Sequence, residues 1–127
     1  MNTNTNMLGS AHVSWMFELT INDGRDADFR VMAAEMAEAT LQNEPGTLDY
    51  EWYVSESGRD LHLFERYENA EAALIHMGTF GARFAARFFD ILTPTRITLL
   101  GAVDERISGG MKELAPQVLR RSAGFSR

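Results

Sequence analysis

The chain has 127 residues, enough for one domain with a single core, and no internal repeat divides it. Its formal net charge of −6, with basic residues scattered along the chain, excludes the clustered basic face that nucleic-acid binding needs. The absence of Cys excludes a disulfide framework, a thiol nucleophile and a thiolate metal site, and no apolar run approaches the roughly 20 residues of a membrane helix.

The opening Met1-Asn2-Thr3-Asn4-Thr5-Asn6 lacks the basic and apolar regions of a secretory signal. Residues 1–10 are expected to form a short disordered leader on a soluble, cytoplasmic protein. From Ala11 to Ile21 the residues alternate, with Val13, Trp15, Phe17, Leu19 and Ile21 on one face, which predicts a strand. Asn22-Asp23-Gly24 ends it in a turn. Asp26 or Asp28 then opens a helix to about Gln42, its apolar face carrying Phe29, Met32, Ala33, Met36, Ala37, Thr40 and Leu41. Asn43-Glu44-Pro45-Gly46 stops that helix.

Thr47 to Ser55 predicts a second strand and Asp60 to Tyr67 a third, joined by the polar hairpin loop Ser55 to Arg59. In the third, Leu61, Leu63, Glu65 and Tyr67 share a face opposite His62, Phe64 and Arg66. Asn69 is placed to cap the following helix, in which Ala72 and His76 stand four residues apart on one face. A carboxylate near a strand's end and an imidazole two turns into the next helix can line one cavity. The spacing alone equally fits a surface Glu65 and a His76 that packs.

Gly78 predicts a break or kink near it in a helical pattern that resumes through Phe80, Phe84, Phe88 and Ile91, with Arg83 and Arg87 as a solvated flank. Thr93-Pro94 closes the helical region, and Thr95 to Val103 reads as a fourth strand. A short helix capped by Ser108 fits within Asp104 to Ala115, ended by Pro116. Gln117 to Phe125 then reads as an extended arm that pairs across a dimer.

The order strand, helix, strand, strand, helix, strand is the ferredoxin-like α+β arrangement, βαββαβ, over residues 11–103, with 104–127 as a short helix and dimerisation arm. Helices cover one sheet face. The other, apolar in places along the first two strands, needs a second cover, and a second copy of the chain supplies it as a homodimer.

Glu44-Pro45-Gly46-Thr47-Leu48-Asp49-Tyr50, then Phe64-Glu65-Arg66-Tyr67, then Glu71-Ala72 with His76, resembles the antibiotic biosynthesis monooxygenase family of dimeric α+β barrels. The resemblance runs from about Ala11 to Val103, and the tail through Ala123-Gly124-Phe125 resembles the family's longer members. It implies a cavity between sheet and helices in each subunit, and a monooxygenase of a small aromatic, phenol-, quinol- or polyketide-like substrate. No metal, flavin or other cofactor is implied. His76 is then the candidate base or partner of the substrate oxygen, because imidazole titrates near neutral pH. Glu65 orients it or raises its basicity, and Trp15, Tyr50, Trp52, Phe64 and Tyr67 are candidate pocket walls. The competing expectation is a dimer that holds a small apolar ligand without chemistry. Haem degradation, another activity in the family, uses an Asn, a Trp and an axial His. Here the corresponding positions fall at or beside Phe17, at His76 and near Ala86, and all three depart.

Overall fold

The computed structural model describes residues 11–127; the leader expected over residues 1–10 lies outside the described residues. Strand β1, Val13–Ile21, takes a central place because its odd-numbered residues are all apolar and all buried. It pairs antiparallel with β3, Asp60–Tyr67, on one side and β4, Leu92–Gly101, on the other. Strand β2, Thr47–Val54, pairs antiparallel with β3, and a short β5, Gln117–Leu119, adds parallel to β4. The order β2-β3-β1-β4-β5 is a ferredoxin-like sheet with one strand added at an edge.

Helix α1, Asp26–Asn43, buries Phe29, Met32, Met36 and Thr40 against the sheet, a stripe at three- and four-residue steps. Leu41, expected on that stripe, is 77% exposed; it lies one residue past Thr40, where the helix surface has turned to solvent. Helix α2, Ala70–Thr79, starts where sequence places it, with the Asn69 side chain accepting from the Ala72 N–H at 2.9 Å. Of the break or kink expected near Gly78, the break is absent and the irregularity lies two residues on. The helix passes through Gly78 and widens into one π turn, Phe80–Phe84, in which the Ala85 N–H reaches the Phe80 carbonyl, before α3, Ala85–Ile91. Continuous burial of Phe84, Phe88 and Ile91 outweighs the roughly 1 kcal/mol cost of one helical glycine.

Strand β4 begins at Leu92, so Pro94 lies inside it and not before it. The pairing with β1 slips between Glu18 and Leu19, and such a bulge is where a residue without an N–H fits a sheet. Gly101 ends β4 at φ +92°, and a Cβ there would lie 2.6 Å from the His12 carbonyl oxygen. Helix α4, Glu105–Gly110, is capped by Asp104, which accepts from the Arg106 and Ile107 N–H groups. Ser108, expected as the cap, lies within it. A 3-10 turn, Lys112–Leu114, leads to β5, which hydrogen-bonds along Thr98–Leu100 of its own chain.

The core fills the space between the helices and the inner sheet face; full burial of each large apolar side chain contributes about 1.5–3 kcal/mol. The outer face differs from the expectation of an apolar surface along the first two strands. There β1 presents Ser14, Met16, Glu18 and Thr20, and β2 presents Asp49, Glu51 and Tyr53. Period two has sent the apolar set of β1, with Tyr50 and Trp52 of β2, inward, while Leu48 and Val54 remain 47% exposed. The outer apolar positions include Met16, its partner Phe64 on β3, Leu100 on β4 and its partner Leu119 on β5.

Candidate functional site

Glu65 falls between Leu63 and Tyr67 on the inner face of β3, so period two drives a carboxylate into the core. Leaving it there bare would be costly. Two groups answer it directly: the Tyr67 hydroxyl donates to Oε1 and His76 Nε2 lies 3.2 Å from the same oxygen; the adjoining Trp15 indole also favours the carboxylate. His76 reaches this point because the Asn69 cap fixes where α2 begins, and the helix turns Ala72 and His76 inward together.

The other imidazole nitrogen is also taken. Nδ1 lies 2.8 Å from Oε1 of Glu44, which also accepts a hydrogen bond of 3.0 Å from the Thr47 hydroxyl. Side-chain exposures of 8% for His76, 5% for Glu44 and 4% for Glu65 mean that water screens none of these contacts appreciably. The Tyr50 and Tyr67 rings flank the imidazole, each with its centroid 5.5 Å away.

The proton inventory follows from the geometry. An ionised Glu44 can only accept, so Nδ1 carries a proton toward it. A single proton then lies between Nε2 and Glu65, as imidazolium with carboxylate or imidazole with carboxylic acid, and the pair titrates as one unit. Burial pushes His76 down, but the charge of Glu65 and the hydrogen bond and charge of Glu44 outweigh it and leave it raised. Burial pushes Glu65 up, more than His76, Tyr67 and Trp15 together pull it down. For Glu44, burial acts upward, but the His76 and Thr47 bonds prevail and hold it below its ordinary value. Burial, with the Glu65 charge second, raises both Tyr50 and Tyr67, so both stay phenolic.

Glu65 and His76 border a cavity of about 330 Å³, at the lower end of small-molecule sites. Trp15, Phe17, Leu63 and Ile97 of the sheet form its floor, and Met36, Phe80, Phe88 and Phe89 of the helices its sides. Met111 and Leu114, on the segment between β4 and β5, close one end. Glu65 and His76 are the buried polar groups of a mainly apolar chamber, with the exposed Glu113 also on its lining, and the pair can move a proton to or from a bound apolar molecule.

A family profile decides the kinship: the antibiotic biosynthesis monooxygenase profile matches residues 13–90. The chain belongs to the antibiotic biosynthesis monooxygenase family. No match was found among curated proteins. Among solved structures, MupZ from Pseudomonas fluorescens superposes with a TM-score of 0.81 at 23% identity, over 93% of this chain and 96% of that one. Rv0793 from Mycobacterium tuberculosis gives 0.62 at 28% identity, over 74% of this chain and 97% of that one. SnoaB from Streptomyces nogalater, a cofactor-independent oxygenase solved as a mutant, gives 0.63 at 16% identity, over 75% and 96%. At their identities MupZ and SnoaB speak to the fold. The MupZ match reaches well beyond residues 13–90, so it includes the C-terminal segment that closes the cavity.

Within this family member, the residues singled out from sequence divide three ways. Glu65, His76, Trp15 and Tyr50 border the cavity. Tyr67 lies behind Glu65 and holds it, while Trp52 packs one layer out, its ring centroid 5.5 Å from Phe29 and 6.1 Å from Phe88. Phe64 projects from the outer sheet face under the Arg66 guanidinium, 5.6 Å away, and does not border this cavity. The hydroxyl of Tyr50 and the indole N–H of Trp52 are both buried; they adjoin one another without an aligned hydrogen bond. Sequence reasoning missed Glu44, taken as part of a helix stop. The available signal was its place in the Glu44-Pro45-Gly46 motif that carries the family resemblance.

Proposed function

We propose that the protein is a cofactor-independent monooxygenase of a small aromatic substrate of the phenol, quinol or polyketide type. The observation that carries this reading is the Glu65–His76 pair on the lining of a mainly apolar cavity. An aromatic ring occupies the apolar walls, with its hydroxyl against the pair. The pair takes the phenolic proton, and Nδ1–H bound to Glu44 steadies the positive charge that gathers on the imidazole. The electron-rich phenolate passes an electron to dioxygen and recombines with it at a ring carbon that carries hydrogen. The resulting peroxide anion takes the stored proton back. Loss of that carbon's proton with cleavage of the O–O bond releases water and leaves the quinone. One phenol and one dioxygen give one quinone and one water, so electrons balance without a flavin or metal. An apolar chamber also suits dioxygen, and a bound aromatic displaces water from it.

The second reading is a binding protein of the same fold, favoured by walls that would hold an apolar ligand with no chemistry at all. Oxygen uptake separates the two. Protein treated with a chelator is mixed with naphthols and quinols, and dissolved oxygen and product are followed. The expected result is one oxygen consumed per quinone formed. Ligand-induced melting shifts without oxygen consumption on any of them would overturn the enzyme reading and favour the binder.

The same reading takes the protein as a homodimer. Met16, Phe64 and Leu100 support it, as adjoining apolar residues on a sheet face that no helix among the described residues covers. An interface centred there with a polar rim fits the composition of protein–protein contacts. Light scattering at micromolar concentration is expected to give twice the chain mass, and a value of one chain mass would count against it.

A further inference from the structure

We propose that Glu44 is a proton-relay residue: Glu65, His76 and Glu44 form a chain that carries protons through the wall between the apolar cavity and a second, polar cleft. This second space, of about 240 Å³, is bordered by Glu44, Thr47, Glu68, Asn69 and Ile75. Glu44 borders the cleft and not the cavity, whereas Glu65 and His76 border the cavity and not the cleft. The imidazole spans the wall, 3.2 Å from Glu65 on one side and 2.8 Å from Glu44 on the other. The wall is thin for a specific reason. Gly46 brings the start of β2 against α2, where a Cβ would lie 2.7 Å from the Ala72 Cβ. Tyr50 and Tyr67 flank the ring, Glu68 and Glu71 line the cleft, and no Lys or Arg borders either space. The imidazole therefore has only carboxylates and phenols to exchange protons with.

The use of such a route follows from the apolar cavity. A bound aromatic excludes water from that side, and a path through the other side lets the Glu65–His76 pair set its protonation state while substrate or product is bound. Uptake of a proton at Nε2 lets the Nδ1–H bond break as an O–H bond forms on Glu44. The proton then leaves to water in the cleft, and the reverse hops restore the starting state. A carboxylate can do this; an amide can accept the same hydrogen bond but cannot carry the proton.

The purpose of the relay rests on the proposed acid–base chemistry, but its test needs no turnover. NMR of the ¹⁵N-labelled full chain measures exchange of the His76 ring N–H with water. In Glu44→Gln the exchange is expected to slow about 10²-fold, the lower end of what one positioned acid–base group contributes. Thr47→Val, which removes a hydrogen bond to Glu44 but keeps the carboxylate, is expected to change it far less. Ile75→Trp fills the cleft from an exposed position and is expected to slow exchange without touching the Glu44–His76 contact. Unchanged exchange in Glu44→Gln overturns the relay; should that variant not fold, unchanged exchange in Ile75→Trp does so. A protein that exchanges as expected yet consumes no oxygen would retain the relay and lose the oxygenase reading.

Discussion

Replacing His76 by alanine is expected to destabilise the protein by about 3–5 kcal/mol, the cost of stripping one member from a buried ion pair. For a chain of this size that is a fall in Tm of at least roughly 10 °C. The cause is what remains: Glu44 and Glu65, both buried, would face a cavity where a cation stood. The sign of the pH dependence follows from the shifts. His76 is raised above 6.5, so its stabilisation is complete below 6.5 and is lost as pH rises through its higher folded value. Glu44 is held below 4.5, so its share is present above 4.5 and is lost as pH falls through its lower folded value. Glu65 is raised above 4.5, which favours the fold below 4.5 and ceases to do so as pH rises through the folded value. The wild type is therefore expected to lose stability above pH 6.5 by an increment that His76→Ala lacks. Adding Glu65→Gln to His76→Ala should recover part of the loss. Thermal melts of the three proteins across this range check the expectation, and a His76→Ala Tm within a few degrees of wild type at pH 7 would refute it.

Glu65→Gln should divide stability from chemistry. The amide oxygen in the place of Oε1 can still accept from the Tyr67 hydroxyl and from a protonated Nε2, both of which meet that one atom, so the fold is retained. Because a buried carboxylate is itself costly, Tm should stay within a few degrees of wild type or rise. Turnover, by contrast, should fall about 10²- to 10⁴-fold, the contribution of a positioned base. Aromatic ligand binding should persist, since the walls of Trp15, Phe17 and Phe88 are untouched. Steady-state oxygen uptake beside ligand-induced melting on the same preparation checks both halves. Wild-type turnover in the variant would remove Glu65 from the reaction.

How far sequence carries toward this site can be seen in its three central residues. Glu65 and His76 were legible because each belongs to a periodic element. Alternation along β3 puts Glu65 with Leu63 and Tyr67, and the four-residue step puts His76 with Ala72. Alternation left open which face was inward; the same pattern in β1, with Trp15 and Phe17 on the buried face, resolves it once the strands are paired. Glu44 was not legible by this means, since it lies in a loop where neither period applies and its partner is 32 residues away. Pro94 misled for a related reason. A proline reads locally as a strand's border, and only the slip in register against β1 shows the bulge that admits it. The C-terminal turns that close the cavity share its lining with Met77 and Phe80, a juxtaposition that no local pattern announces.

The most direct test of the Glu65–His76 pair as the base is the pH profile of kcat/KM for oxygen uptake with a quinol that the wild type turns over. The base requires the pair to have shed its second proton, and Glu65 is raised above 4.5. The rate should therefore climb with pH along an acid limb whose midpoint lies above 4.5, and Glu65→Gln should lose that limb together with most of the rate. A wild-type rate that is flat with pH, or the same limb surviving in Glu65→Gln, would contradict a base built from this pair.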